Sequence, residues 1–231
     1  MSEKAMFDSE VLRRMAELVL PLATEAPLVF DEKGVSVRAV DPSHVAMVSV
    51  LYTGMKGMRG RACIDMKDLS EFLRLGKGII EIELTNESFI VKLGNLRRSF
   101  DLLSDDIPEL KMPRLEYKAH ASLSVKDLMI GLRAIGAVGD AVVLNADSIS
   151  LSVSSYDGKV VQEFNVLQLQ GIKVEGTQKA MYSMSFVMPI MRAIGSETVE
   201  LSFSNDVPVS VKCGDEIISA EYVIAPRVEP Q

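Results

Sequence analysis

One pattern is written twice along this chain: a helix-period run, three strand-like runs, a second helix-period run and three more strand-like runs, repeated at an offset of roughly 115 to 120 residues. A repeated α+β unit points to two similar domains. The 231 residues give each copy the length of an ordinary domain with a core of its own.

The first copy opens at Asp8-Ser9, where Val11, Leu12, Met15, Leu18, Val19 and Leu22 form an apolar stripe with Glu10, Arg13, Arg14 and Glu17 opposite. Residues 28–30, a turn at Glu32-Lys33-Gly34, and the runs 35–40 and 44–52 predict antiparallel strands joined by tight turns. A second helix is expected after Asp65, with Leu69, Phe72 and Leu73 apolar and Gly76 or Gly78 stopping it. Strands are expected at Ile79–Leu84, Ser88–Leu93 and 96–103.

In the second copy Ser124 caps a helix over 125–135 that Gly136 closes, and 141–144, 149–153 and 160–166 supply strands. A fourth helix over 186–194 precedes strands at Thr198–Phe203, 207–211 and 217–224. VFDEKGVSV from Val29 answers VLNADSISL from Val143, each a strand, a polar turn and an alternating strand. Between the copies LLSDDIPELKMPRLEY, with two prolines and four acids, reads as an extended linker. The expected division is 1–103, a connector over 104–118, and 119–231.

Composition narrows the function. An apolar fraction of 48% with 25% charged residues describes a folded globular chain. No apolar run is long enough to span a bilayer, and MSEKAMFDSE lacks a basic segment leading into an apolar one, so neither membrane insertion nor secretion is expected. Cys63 and Cys213, far apart, and the two histidines His44 and His120 offer no metal-ligand spacing. A reducing, cytoplasmic setting follows, with no metal or cofactor. The net charge of −7 argues against holding nucleic acid through a strongly basic surface, because that affinity comes from neutralised phosphates.

Asp41, Ser43 and His44 have the side-chain types of a hydrolase triad, but triads converge from distant segments and these are neighbours. GMKGMRG from Gly54 lacks the Gly-Lys-Ser/Thr ending of a phosphate loop and reads as a loop. No catalytic residue is assigned. A hydrolase or transferase with an unrecognised site stands as the alternative from another class.

GVSVRAVDPSHVAMVSV from Gly34 resembles the signature stretch of the proliferating cell nuclear antigen family of DNA sliding clamps, most like archaeal members. IPELKMPRLEY, IGAVGDAVVL and EYVIAPRVEP are similar to that family in the same order. The resemblance implies the DNA clamp fold: two similar domains of helices packed on antiparallel sheet, and three chains closed into a ring with helices inside. Residues 96–103 of one subunit would pair with 159–166 of the next, which removes exposed strand edges. The implied role is a non-enzymatic processivity factor in DNA replication and repair, cytoplasmic and nucleoid-associated. It encircles duplex DNA without reading sequence and docks DNA polymerase, clamp loader, flap endonuclease and ligase through short peptides. A specialised paralogue working only within a heterotrimer is the nearer alternative.

On that reading the helices meet phosphate through Arg13, Arg14, Lys67, Arg74, Lys77, Lys126, Arg133 and Arg192, against the acids Asp8, Glu10, Glu17, Asp68, Glu71 and Asp127. The small surplus suits a ring that slides. Leu20 stands where a basic residue is common in the family. The partner-docking pocket implied by the resemblance takes Val40, His44, Val45 and Met47, linker residues Leu110, Met112, Pro113 and Tyr117, then Pro208, Val223, Ile224, Ala225 and Pro226. Val223 stands where the family leads one to expect a tyrosine or phenylalanine.

Overall fold

The computed structural model describes residues 3–55, 57–103, 110–155, 163–166 and 169–227. The first half runs β1 (Glu3–Asp8), α1 (Ser9–Val19), β2 (Glu25–Asp31), β3 (Gly34–Val40), β4 (Ala46–Tyr52), β5 (Gly60–Asp65), α2 (Met66–Leu73), β6 (Ile79–Leu84), β7 (Ser88–Leu93) and β8 (Leu96–Asp101). The second runs β9 (Ala119–Ser124), α3 (Val125–Gly136), β10 (Ala141–Ala146), β11 (Leu151–Ser155), β12 (Glu163–Asn165), β13 (Leu169–Val174), β14 (Gln178–Ser183), α4 (Met184–Ala193), β15 (Thr198–Phe203), β16 (Val209–Gly214) and β17 (Ile218–Ile224).

Every helix starts on the residue that closes a strand. Asp8, Asp65 and Ser124 end β1, β5 and β9 in extended backbone, and their side chains accept the first-turn N–H of Glu10 at 2.8 Å, Asp68 at 2.8 Å and Asp127 at 3.4 Å. Each cap satisfies a donor that the helix itself cannot. Ser183 ends β14 in the same backbone but makes no capping bond, and α4 carries Pro189 inside it.

Two compact units result, Met1–Met112 with Asp215–Ala220, and Pro113–Gly214 with Glu221–Gln231. In the first, β1-β6-β7-β8 form one antiparallel sheet and β4-β3-β2-β5 the other face. In the second, β9-β15-β16-β17 and β12-β11-β10-β14 repeat those strand orders, with β13 added beyond β9. The β2–β3 and β10–β11 hairpins, the two passages paired in the sequence, occupy the same place in the repeat.

The unit is richer than the helix and three strands read from sequence. A strand precedes each helix, so β1, β5, β9 and β14 are additions, as is β13. The strand expected at 149–153 lies at Leu151–Ser155 because Asp147 Oδ1 takes the N–H groups of Ile149 and Ser150, at 2.9 and 2.8 Å, into a turn. Of the strand expected at 160–166, only Glu163–Asn165 is described as strand, and its start lies outside the described residues; so do 104–109 of the connector.

The cores explain why the helices sit where they do. In the first unit Phe30, Phe89, Phe100 and Phe72 follow one another at centroid spacings of 6.1, 6.4 and 6.1 Å, joining both sheets to α2. Leu12, Met15 and Val19 of α1 are fully buried, so Arg13, Arg14 and Glu17 are turned outward. In the second unit Tyr182 is buried and its Oη donates to the Val207 carbonyl at 2.8 Å, which satisfies the one polar atom that burial would orphan. The GMKGMRG loop is anchored: Met55 and Met58 are buried.

Candidate functional site

The helices present the predicted cations to solvent, but in two different states. In the first unit Arg13 Nη1 donates to Glu17 Oε1 at 2.9 Å, Arg74 Nη2 donates to the same oxygen at 2.9 Å, Arg14 Nη1 donates to Asp215 Oδ2 at 2.6 Å, and Lys77 Nζ meets Glu10 Oε1 at 2.9 Å. The Lys77 ammonium holds the Glu10 carboxyl below its usual range. Lys67 on α2, Lys126 and Arg133 on α3 and Arg192 on α4 are exposed and make no ion pair among the described residues. Four predicted cations are therefore already partnered and four stand open.

A second feature is the turn between β3 and β4. Asp41 is buried, and its Oδ1 accepts the N–H groups of Val45 at 2.7 Å and Ala46 at 2.6 Å while Oδ2 accepts that of Ser43 at 2.7 Å. Burial pushes its carboxyl up, and these backbone donors outweigh burial and hold it below the usual range. The turn is thereby fixed with His44 exposed in the left-handed region at φ 57°. The carboxylate serves the backbone and does not orient the imidazole, so the motif is a brace rather than a triad.

Val40, Val45 and Met47 are half-buried around this turn, and the linker residues Leu110 and Met112 are half-buried too. The Leu110 carbonyl accepts a hydrogen bond from Arg38 Nη1 at 3.1 Å, which seats the linker on β3. In the second unit Tyr117, Pro208, Ala225 and Pro226 are half-buried and Pro113 is exposed, while Val223 and Ile224 are buried. Ile224 sits in the core of that unit with Leu128, Leu144, Tyr182 and Val211, so its side chain has packing to do there. Burial and the nearby Glu221 carboxylate raise the Tyr117 hydroxyl above its usual range.

The family profile for the proliferating cell nuclear antigen, N-terminal domain, matches residues 1–130. The chain belongs to that family. The DNA polymerase sliding clamp of Thermoplasma volcanium is 26% identical over 94% of this chain and 96% of its own length, and that of Methanothrix thermoacetophila is 25% identical over 99% of each. The fold is that of the clamp from A. fulgidus, whose structure was solved with the C-terminal region of FEN-1 bound, at a TM-score of 0.87 and 21% identity over 99% of this chain and 100% of that one.

Within the family frame, two features of the site were missed from sequence. The hub role of Glu17 was half visible, since Arg13 and Glu17 stand four apart on one helix, but its second partner comes from α2 and only the fold supplies it. The partnership of Arg14 with Asp215 spans the chain and left no local signal.

Proposed function

We propose that this chain is one subunit of a DNA polymerase sliding clamp, three copies of which close into a ring around duplex DNA and hold replication and repair enzymes there. The observation that carries the reading is the family match over a repeat whose four-stranded sheets have open end strands, β8 and β12 as well as β1 and β14, among the described residues. β8 ends the sheet β1-β6-β7-β8 and β12 ends β14-β10-β11-β12, neither having a further neighbour among the described residues. An unpaired edge invites a partner strand, and β8 of one copy pairing with β12 of the next satisfies both while propagating head to tail until the ring closes.

The domains are 1–103 and 119–231 with 104–118 as connector. Cations carried by the helices supply sparse, sequence-independent phosphate contact, and retention is topological. The chain performs no chemistry; an ATP-driven loader opens the ring. Polymerase, flap endonuclease and ligase dock through short peptides with aliphatic and aromatic anchors, on Val40, His44, Val45, Met47, Leu110 and Met112 in the first unit. Pro113, Tyr117, Pro208 and residues 223–226 contribute from the second. The relative bound to the C-terminal region of FEN-1 supports that mode of docking.

The decisive test is polymerase extension on primed circular DNA with clamp loader, alongside light scattering of the purified chain. A trimer that lengthens products is expected. No lengthening overturns the clamp reading, and a chain that stays monomeric alone but trimerises with paralogues assigns it to a mixed ring.

A further inference from the structure

At Glu17 two helices share one carboxylate. Its Oε1 accepts from Arg13 Nη1 at 2.9 Å and from Arg74 Nη2 and Nε at 2.9 and 3.3 Å, with the Ser70 hydroxyl at 3.5 Å, while Oε2 stands 3.1 Å from Arg13 Nη1. These are the distances and donors with which guanidinium groups grip an oxyanion. The Arg74 side chain is 61% exposed, Glu17 28% and Arg13 30%, so the acid lies beneath Arg74 and level with Arg13. Glu17 lies off the apolar face that α1 buries, which is made by Leu12, Met15, Ala16, Leu18 and Val19.

We propose that Glu17 is a built-in substitute for a DNA phosphate. It occupies Arg13 and Arg74 so that the first unit grips duplex DNA weakly and the phosphate contacts come from Lys67, Lys126, Arg133 and Arg192. The inference rests on the reading that these helices face DNA. A phosphate can recruit either arginine only by displacing Glu17, and it meets the uncompensated carboxylate as it does so. The gain from each guanidinium is thereby cut. Fewer counterions are released on binding, and the drag on a ring that must move along DNA falls with them. Glu10 on Lys77 and Asp215 on Arg14 act in the same sense, but among the described residues Glu17 alone joins the α1 cation Arg13 to Arg74 at the end of α2.

The test is a double-mutant cycle on the full chain, read as equilibrium binding to a short linear duplex at several salt concentrations. Glu17→Gln keeps the shape and removes the charge; it raises affinity about fivefold at low salt and steepens the slope of log K on log salt by about one to two. Arg13→Gln with Arg74→Gln costs several-fold more affinity in the Glu17→Gln background than in the natural chain. Equal costs in both backgrounds, or an unchanged Glu17→Gln, overturn the proposal. Lys126→Ala with Arg133→Ala serves as the independent arm. If it weakens binding while Glu17→Gln changes nothing, the mask is wrong and the DNA-facing reading stands. If neither changes binding, the DNA-facing reading itself falls. Melting temperature is followed throughout, and Glu17→Ala replaces Glu17→Gln should the amide prove disruptive.

Discussion

Asp215 Oδ2 accepts a 2.6 Å hydrogen bond from Arg14 Nη1, tying α1 to the turn that leads into β17. The N–H of Ile218 at 2.8 Å, and those of Ile217 at 2.9 Å and Arg14 besides, outweigh partial burial and hold the Asp215 carboxyl down from 3.8 to about 2. A folded-state value below the unfolded one means that the stabilisation is complete above about pH 4 and is lost as pH falls through about 2. Asp215→Asn should therefore cost about 1 kcal/mol at neutral pH, a figure discounted for the pair's exposure to solvent. Urea midpoints of the two proteins should converge below pH 4. A gap that stays constant from pH 7 to pH 3 would rule this out.

The Asp41 brace predicts a coupling between stability and docking. Asp41→Asn replaces one acceptor with an NH2 group facing backbone donors, and should destabilise by about 1 to 3 kcal/mol. His44, Val45 and Met47 would lose their fixed presentation, so a docking peptide should bind more weakly. Calorimetry and thermal melting report both. An unchanged melting temperature would show that the three N–H groups do not depend on the carboxylate.

The helices were legible because each buries apolar residues at helical spacing and three of them begin at a capping side chain. Asp8, Asp65 and Ser124 announced three of them. The strands that run into those caps were not. β9 and β14 read AHASLS and QKAMYS, where only Leu123 and Tyr182 are large apolar residues on the buried face and the other buried positions hold Ala119 and Ala121 or Gln178 and Ala180, too small or too polar to register as strand formers. Their pairing comes from β15 and β10, far along the chain. The same holds for the site. Which residues are cationic was plain, whereas which cations are already neutralised depends on Glu17, Glu10 and Asp215 arriving from the fold.

Gly34 and Gly94 separate steric need from backbone preference. Both have positive φ, 133° and 57°. A Cβ on Gly34 would stand 1.9 Å from the Tyr52 carbonyl oxygen, where β3 pairs with β4, while one on Gly94 meets nothing within 4 Å. Gly34→Ala should cost more than about 3 kcal/mol and Gly94→Ala about 1 kcal/mol. Chemical denaturation ranks them, and equal losses would mean that the β3–β4 hairpin yields to the methyl group.

Leu110 and Met112 test the proposed docking surface without touching the proposed subunit joint. Leu110 binds Arg38 through its backbone carbonyl, which truncating the side chain leaves in place, so the linker should remain seated on β3. Neither residue lies on β8 or β12, the strands proposed to join subunits. Leu110→Ala with Met112→Ala removes apolar contact from the half-buried linker and should weaken a docking peptide by about 2 kcal/mol, roughly thirtyfold in Kd. Light scattering should return the same assembly for both proteins. Unchanged affinity by calorimetry would place the peptide elsewhere, and loss of assembly would mean that the linker supports the subunit joint instead.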